Sequence, residues 1–243
     1  MTALVKDELT EAVLRPVRGH HAFEACVEQL GTAIRLGVYA HGSSLPPERE
    51  LAERLDVSRA TLREAIAALR AAHLVETRRG RGGGTVVSHR PSAPAHGTPP
   101  DLGPRRMQLL DTLVFRRVVE PGGCHIAAGR SLSEAQRRLL DEAHDAVANA
   151  TDPATHRQAD SRFHLAIAMV TESAQVLQAV TAVQADLHDM LNAIPVLEVN
   201  IEHSNKQHRS IVDAIAAGDA TKARRVMESH CDDTAALLRG LLG

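Results

Sequence analysis

A proline-rich segment divides the chain into two parts. Five of the 11 prolines fall in residues 90–104, RPSAPAHGTPPDLGP. Proline lacks a backbone N–H, so such a segment forms neither helix nor sheet and is typical of a semi-rigid linker. The pattern therefore predicts an N-terminal arm at 1–19, a domain at 20–89, the linker at 90–104 and a second domain at 105–243.

The composition favours helices and excludes several classes of protein. Aromatic residues make up only 2% of the 243 residues, with no Trp, so the core must be built from Ala, Leu, Val and Ile. No apolar run approaches the ~18 residues of a membrane helix, and the first 19 residues lack the apolar core of a signal peptide. The three cysteines match neither a disulfide framework nor a thiolate zinc site. We expect a mainly α, soluble, cytoplasmic protein without a membrane partner.

The pattern before the linker predicts a winged helix-turn-helix. Apolar residues from Phe23 to Val38 recur every three or four positions and predict a helix over 20–37. The segment SLPPERELAERL predicts a second helix. After the short DVS connection, Ser58 is suited to cap a third. Two β-prone segments, LVET and TVVS, flank the glycine-rich RRGRGGG and predict a hairpin.

Basic residues lie where a helix-turn-helix meets DNA. In this motif the start of the second helix of the pair reads base edges in the major groove. The residues in that position are Ser58, Arg59, Thr61 and Arg63, and the hairpin tip adds Arg78, Arg79 and Arg81. Residues 1–90 carry a formal net charge of +2, whereas the remainder carries −4. The alternative for each arginine is an ordinary solvated helix face, so the hypothesis rests on their coincidence with the motif.

The same segment resembles a known family. LPPERELAERLDVSRATLREAIAALRAAHLVETRRGRGGGTVV is similar to the DNA-binding domain of the GntR family of bacterial transcription regulators. The resemblance implies that DNA is contacted through Arg49, Arg59, Thr61, Arg63, Arg79 and Gly80. The chain departs from the pattern at His73, near which relatives commonly have glycine.

After the linker the pattern predicts an all-α bundle of about six helices. The first spans 106–130 and is kinked near Pro121, and a Ser133–Gln136 capping box opens the second, which runs to about 149. Asp152 and Pro153 open the third, which runs to about 170. Further helices are predicted over about 174–192, 198–217 and 219–241, with Gly218 between the last two.

Four residues of the bundle have the spacing of a metal site. Asp160 and His164 lie four apart on one predicted helix and so share a face. His208 and His230 lie at similar distances on either side of Gly218, so an antiparallel hairpin would set them at one level. A carboxylate and three imidazoles would bind a divalent transition metal. The alternative is a set of surface or hydrogen-bonded core histidines, which spacing alone favours.

A second resemblance adds to the metal interpretation. DSRFHLAIA and QHRSIVDAIAAGDATKARRVMESH are similar to the FCD ligand-binding domain of the FadR branch of GntR regulators. The resemblance implies that Asp160, His164, His208 and His230 hold the metal and that Arg116 faces the carboxylate of an effector. Zinc is the first expectation for the ion, with nickel or manganese as alternatives. The chain departs at Glu172–Ser173, where many relatives have Gly-Asn.

Together these features predict a transcription repressor rather than an enzyme. We expect a homodimer on a palindromic operator, with DNA affinity controlled by a small organic acid bound at the metal and Arg116. Two alternatives remain: a metal-dependent enzyme, or a bundle that serves only to dimerise, attached in either case to the DNA-binding head. Catalytic turnover would identify the first, and absence of stoichiometric metal would favour the second.

Overall fold

The structure is a computed structural model that describes residues 12–14, 16, 22–78, 84–90, 105–191 and 198–242. The chain divides into two compact units, Met1–Pro91 and Ser92–Gly243. Most of the predicted arm, nearly all of the predicted linker, and Arg79, Gly80 and Arg81 of the predicted wing lie outside the described residues.

Three helices and a two-stranded wing form the described part of the first unit. The helices are α1 (Ala22–Arg35), α2 (Glu48–Leu55) and α3 (Arg59–Ala71), and the strands are β1 (Val75–Arg78) and β2 (Gly84–Val87). Helix α3 packs against both other helices and against β1. The core contains Leu30, Leu51, Leu55 and Leu62, each fully buried. Phe23, which we predicted on the buried face of α1, is 37% exposed, and Cys26 and Ala33 take buried positions on that helix instead.

The wing is a short antiparallel hairpin. Its register pairs Val75 with Val87 and Arg78 with Gly84. Ser44 forms an isolated bridge to Val86 on the other side of β2, which ties the wing to the segment between α1 and α2. The first unit therefore has the predicted winged helix-turn-helix fold.

The second unit is entirely helical in its described part. Its helices are α4 (Arg105–Ala128), α5 (Glu134–Ala148), α6 (Pro153–Val170), α7 (Ala174–Leu191), α8 (Glu198–Ala216) and α9 (Ala220–Leu242). Helix α4 packs against α6, α7, α8 and α9, which places it at the centre of the bundle. It continues through Pro121. No helix among the described residues has both the length and the apolarity needed to cross a membrane.

The predicted helix ends agree with the observed caps. Ser133 and Gln136 form a reciprocal capping box at the start of α5, and Asp152 caps α6 ahead of Pro153. Gly218 adopts a φ of 74° between α8 and α9. This left-handed conformation, which favours glycine, lets the chain reverse after α8, so that α8 and α9 pack together.

Candidate functional site

The start of α3 presents predicted DNA-reading residues to solvent. Ser58 caps the helix by accepting a hydrogen bond from the Thr61 N–H at 3.0 Å, and the two hydroxyls lie 2.8 Å apart. Arg59 is exposed and forms no ion pair with a described residue. Arg63 is also exposed and donates from Nε to Glu48 at 2.8 Å. A basic, solvent-facing helix start is the arrangement that base and phosphate contacts require.

Two further predicted arginines lie in exposed ion pairs. Arg49 is 3.4 Å from Glu53, and Arg78 Nε donates to Glu76 at 2.8 Å. Such exposed ion pairs contribute only ~0–1 kcal/mol to stability. A DNA phosphate can therefore replace the carboxylate with little loss of free energy. Arg79 and Gly80 cannot be placed because they fall outside the described residues.

Three buried histidines from three helices meet in the second unit. They are His164 on α6, His208 on α8 and His230 on α9, and none is more than 4% exposed. Their ring centroids are 4.7–5.6 Å apart, and one ring nitrogen of each lies within 4.8 Å of the other two. The carboxylate of Asp160 is 3.6 Å from His208 Nε2 and 3.9 Å from His164 Nε2.

The hydrogen bonds of this cluster fix which ring nitrogens carry a lone pair. Arg116 Nη2 lies 3.1 Å from His230 Nε2 and 3.3 Å from His164 Nε2. Because a guanidinium can only donate, these Nε2 atoms accept, and each neutral ring carries its proton on Nδ1. His230 Nδ1 is 3.1 Å from Gln207 Oε1, and His164 Nδ1 is 3.0 Å from Glu120 Oε2. Both rings therefore direct an Nε2 lone pair towards Arg116.

Arg116 belongs to a fully buried ion pair on α4. Its Nε donates to Glu120 Oε2 at 2.9 Å, and both side chains are at most 3% exposed. Glu120 Oε1 accepts from Gln184 at 2.7 Å. Burial alone would raise the pKa of Glu120, but Arg116 and His164 beside it keep that pKa well below its usual range. Both members of the pair are therefore charged, and Glu120 fixes the guanidinium against the histidines.

Two histidines of the cluster, His208 and His230, are set to be neutral. Burial lowers the pKa of His208 and of His230 well below the usual value, and the neighbouring cluster histidines and Arg116 lower both further. Neutral imidazole is the form that binds a metal ion.

A cavity of about 390 Å³ opens beside the cluster. Arg116, Asp160 and His230 line it at the cluster. Its apolar lining comes from Leu187, Leu191, Ile201 and Leu237. His156 and Arg157, one turn before Asp160 on α6, also line it. A concave site with apolar walls and a few convergent polar groups is typical of a small-molecule pocket.

Sequence reasoning missed three residues of this site. Glu120 follows Arg116 by four positions on a helix, a spacing that could have indicated the pair. His156 lies four positions before Asp160 and eight before His164, so the same periodicity would have placed it on the shared face. Gln207 adjoins His208 and carries no comparable signal.

The donor set fits a divalent transition metal. Three imidazoles and one carboxylate suit zinc, nickel or manganese. The His230 ring is oriented by the Gln207 amide at Nδ1, as metal-bound histidines usually are, and the Glu120 carboxylate lies 3.0 Å from His164 Nδ1. His208 Nδ1 is buried and has no hydrogen-bond partner among the described residues, yet its Nε2 faces Asp160.

Comparison with known proteins identifies both units. The model of the bacterial regulatory proteins of the gntR family matches residues 23–87, and the FCD domain model matches residues 111–233. The chain belongs to the GntR family. Its first unit is the helix-turn-helix domain of that family and its second is an FCD domain, so the chain is a DNA-binding transcription regulator.

Curated relatives agree in name and in extent. The HTH-type regulator RmpR of Mycobacterium gastri is 34% identical, over 85% of this chain and 76% of that protein. The HTH-type transcriptional repressor NanR of Cronobacter sakazakii is 28% identical, over 93% and 89%. Among solved structures, E. coli McbR/YncC matches with a TM-score of 0.55 at 17% identity, covering 93% of this chain and 100% of that one, a likeness of fold. These relatives carry the names of regulators, not enzymes, so the enzyme alternative is set aside.

Proposed function

We propose that this GntR regulator is a repressor. Its affinity for a palindromic operator is controlled by a small organic acid bound at a metal site in its FCD domain. One observation carries the proposal. Three imidazoles and the Asp160 carboxylate converge beside a buried arginine that lines a cavity. The name of NanR supports the repressor part.

The metal would be held by His164, His208, His230 and Asp160. The ion would supply a positive centre with open positions for a carboxylate oxygen. Gln207 hydrogen-bonds the His230 ring, the Glu120 carboxylate lies 3.0 Å from His164 Nδ1, and Phe163 packs against His208 with centroids 4.3 Å apart. These contacts hold the donors in place before any ligand arrives.

Arg116 would bind the acid. Its guanidinium now donates towards the same Nε2 lone pairs that metal ligation would use. Once those lone pairs are engaged, Nη2 needs another acceptor, and a carboxylate is the acceptor that best matches a guanidinium. Glu120 holds the guanidinium through Nε, and Arg116 lines the cavity. The acid would thus join helices α4, α6, α8 and α9.

A second copy of the chain would cover an apolar face of α4. Five hydrophobic side chains of this helix are 44–73% exposed: Met107, Val114, Phe115, Val118 and Ile126. Most recur at intervals of four, seven or eight residues and so follow one side of the helix. A two-fold axis would set this face against its own copy, as is usual in homodimers.

The dimer is tested by sedimentation. We expect a mass near twice 26.1 kDa for the full chain and near 26.1 kDa for Val114→Glu/Val118→Glu. The control is Arg138→Glu, an exposed change on α5 that should stay dimeric. A monomeric native chain that binds a half-site would contradict the proposal.

The control of DNA binding is tested on an operator selected from random duplexes. Fluorescence anisotropy would measure its affinity for the zinc-loaded full chain, with and without a panel of organic acids. We expect at least one acid to weaken operator binding, and His208→Ala to abolish that response while binding the operator normally.

His203→Ala is the matched control, because His203 lines the same cavity but is exposed and bonded to Asp233. It should keep the response. A chain that takes up no metal, or a His208→Ala variant that responds like the native chain, would refute the metal site.

A further inference from the structure

A chain of hydrogen bonds leads from the surface of the bundle to His230. The Gln207 amide on α8 lies between His230 and Asp233, which is three positions further along α9. Its Nε2 donates to Asp233 Oδ2 at 2.7 Å, and its Oε1 is 3.1 Å from His230 Nδ1. Gln207 and His230 are buried, whereas the Asp233 side chain is 51% exposed. One amide therefore connects a buried imidazole to a surface carboxylate.

The carboxylate determines the orientation of the amide. A glutamine side chain can turn by about 180° and exchange its oxygen for its nitrogen with little change of shape. Because a carboxylate only accepts hydrogen bonds, the amide must present Nε2 to Asp233 and Oε1 to His230. His230 therefore carries its ring proton on Nδ1 and keeps the lone pair on Nε2. The contact of Arg116 with Nε2, on the other side of the ring, requires the same tautomer.

The opposite orientation of the amide would oppose metal binding. A neutral histidine that binds an ion through Nε2 carries its proton on Nδ1, and this proton needs an acceptor. A reversed Gln207 would place its NH₂ group against His230 Nδ1, so that two donors would meet in a buried place. It would favour the other tautomer, in which Nε2 carries the proton and has no lone pair for an ion.

We propose that Asp233 is a positioning residue of the metal site. It holds the Gln207 amide in the orientation that leaves the His230 Nε2 lone pair available to the ion. Asp233 acts through Gln207 and is not itself a ligand. This inference rests on the proposed function, since it assumes that His230 binds a metal. Asp233 also bonds to the exposed His203, at 3.1 Å, but the orientation of the amide does not depend on that contact.

The zinc affinity of the full chain, measured by competition with a chromophoric chelator, tests this role. Asp233→Ala removes the acceptor that fixes the amide and should weaken zinc binding about ten-fold, as loss of a group that orients a metal-bound histidine does. Asp233→Asn should bind zinc nearly as tightly as the native chain, because its side-chain oxygen can still accept from Gln207 although the charge is gone. His203→Ala, which removes the other partner of Asp233, should bind zinc like the native chain.

A second background isolates the orientation of the amide from other effects of Asp233. In Gln207→Glu both side-chain oxygens at this position accept, so no orientation needs to be fixed. Asp233→Ala should therefore weaken zinc binding in the native background and not in the Gln207→Glu background, where it also removes the repulsion between two carboxylates. A general loss of charge or of stability would weaken zinc binding in both.

NMR of the zinc-free full chain, labelled with 15N in the histidine rings, gives a readout that does not depend on the metal. In the native chain His230 should carry a hydrogen-bonded proton on Nδ1. In Asp233→Ala the resonance of this proton should move upfield or broaden, because the amide is then reversed for part of the time. Asp233→Asn should restore the native resonance.

The outcomes distinguish this inference from the proposed function. The role of Asp233 is wrong, and the metal site stands, if Asp233→Ala binds zinc as tightly as the native chain or if Asp233→Asn binds it as weakly as Asp233→Ala. Equal weakening by Asp233→Ala in the two backgrounds, or an unchanged His230 resonance in Asp233→Ala, leads to the same conclusion. If the native chain takes up no zinc, the metal site and the role of Asp233 are both wrong.

Discussion

The two units of this regulator use arginine in opposite ways. In the helix-turn-helix unit Arg59 and Arg63 are exposed, and the partner of Arg63 is a surface carboxylate that solvent screens. In the FCD unit Arg116 is 2% exposed and is held by a buried glutamate and two histidines. The first arrangement suits a large polyanion that comes to the surface. The second suits a ligand small enough to enter the protein, and it makes the fold depend on each polar contact.

Breaking one ion pair in each unit measures this difference. Glu120→Ala would leave Arg116 charged and unpaired in the bundle, which should lower the free energy of unfolding by about 3–5 kcal/mol. Glu48→Ala, which frees the exposed Arg63, should change it by less than about 1 kcal/mol. Urea unfolding measures both. Tyr39 is the only tyrosine of a chain without tryptophan, and it is buried in the first unit.

Tyrosine fluorescence therefore follows the first unit, while circular dichroism follows the helices of both. Only the dichroism transition of the second unit should move in Glu120→Ala. If Glu120→Ala and Glu48→Ala lower the free energy of unfolding by the same amount, burial does not make the Arg116–Glu120 pair more important for stability than the Arg63–Glu48 pair. Glu120→Gln provides a check if the alanine variant does not fold, because its single carbonyl oxygen can still accept from Arg116 while the charge is removed.

Removing the proposed metal should destabilise one unit alone. Binding to the native state stabilises it by ~2.7 kcal/mol when the free ligand is at a hundred times its dissociation constant. A chelator should therefore lower the melting temperature of the bundle and leave the Tyr39 transition in place. His230→Ala should melt at the same temperature whether zinc is present or absent. If neither chelator nor zinc changes the melting temperature of the bundle, the three histidines are ordinary core residues and not metal ligands.

Within the DNA-binding unit, two arginines should differ in what they contribute. Arg59→Ala should cost ~1–3 kcal/mol on the operator and flatten the preference over random DNA, because a side chain at the helix start reads bases. Arg78→Ala on the wing should weaken both DNAs alike and reduce the salt slope by about one. Anisotropy titrations at several salt concentrations decide between these roles. If Arg59→Ala keeps the native preference for the operator over random DNA, Arg59 does not contact the bases.

Sequence was sufficient for the elements and for the pairing of His208 with His230, because helix periodicity and one turn glycine determine where those residues lie. It was insufficient for the contacts that orient the site. Gln207 and Glu120 act through distances between helices, 3.1 Å to His230 and 3.0 Å to His164, and no spacing along the chain encodes such distances. The prediction that Phe23 is buried was wrong. Phe23 lies in the first turn of its helix, where a residue on the apolar face can still be exposed to solvent.

The smallest difference between the units concerns the backbone. His73 after α3 and Glu172 after α6 both adopt left-handed conformations, with φ of 57° and 55°. These are the two places where we noted that relatives commonly carry glycine. After α3 the N–H groups of His73 and Leu74 bond back to Arg70 and Leu69 at 3.0 and 2.9 Å, a helix end that glycine normally completes.

Glycine should therefore stabilise one site and not the other. A left-handed conformation costs a non-glycine residue ~1–2 kcal/mol, and the greater freedom of glycine in the unfolded chain gives back about 0.5–1 kcal/mol. His73→Gly should raise the stability of the first unit by about 0.5 kcal/mol, measured by Tyr39 fluorescence in urea. Glu172→Gly should be neutral or destabilising, because the Glu172 side chain accepts hydrogen bonds from Arg130 and, at 3.0 Å, from Gln136. Stabilisation of equal size at both sites would mean that those surface contacts contribute nothing.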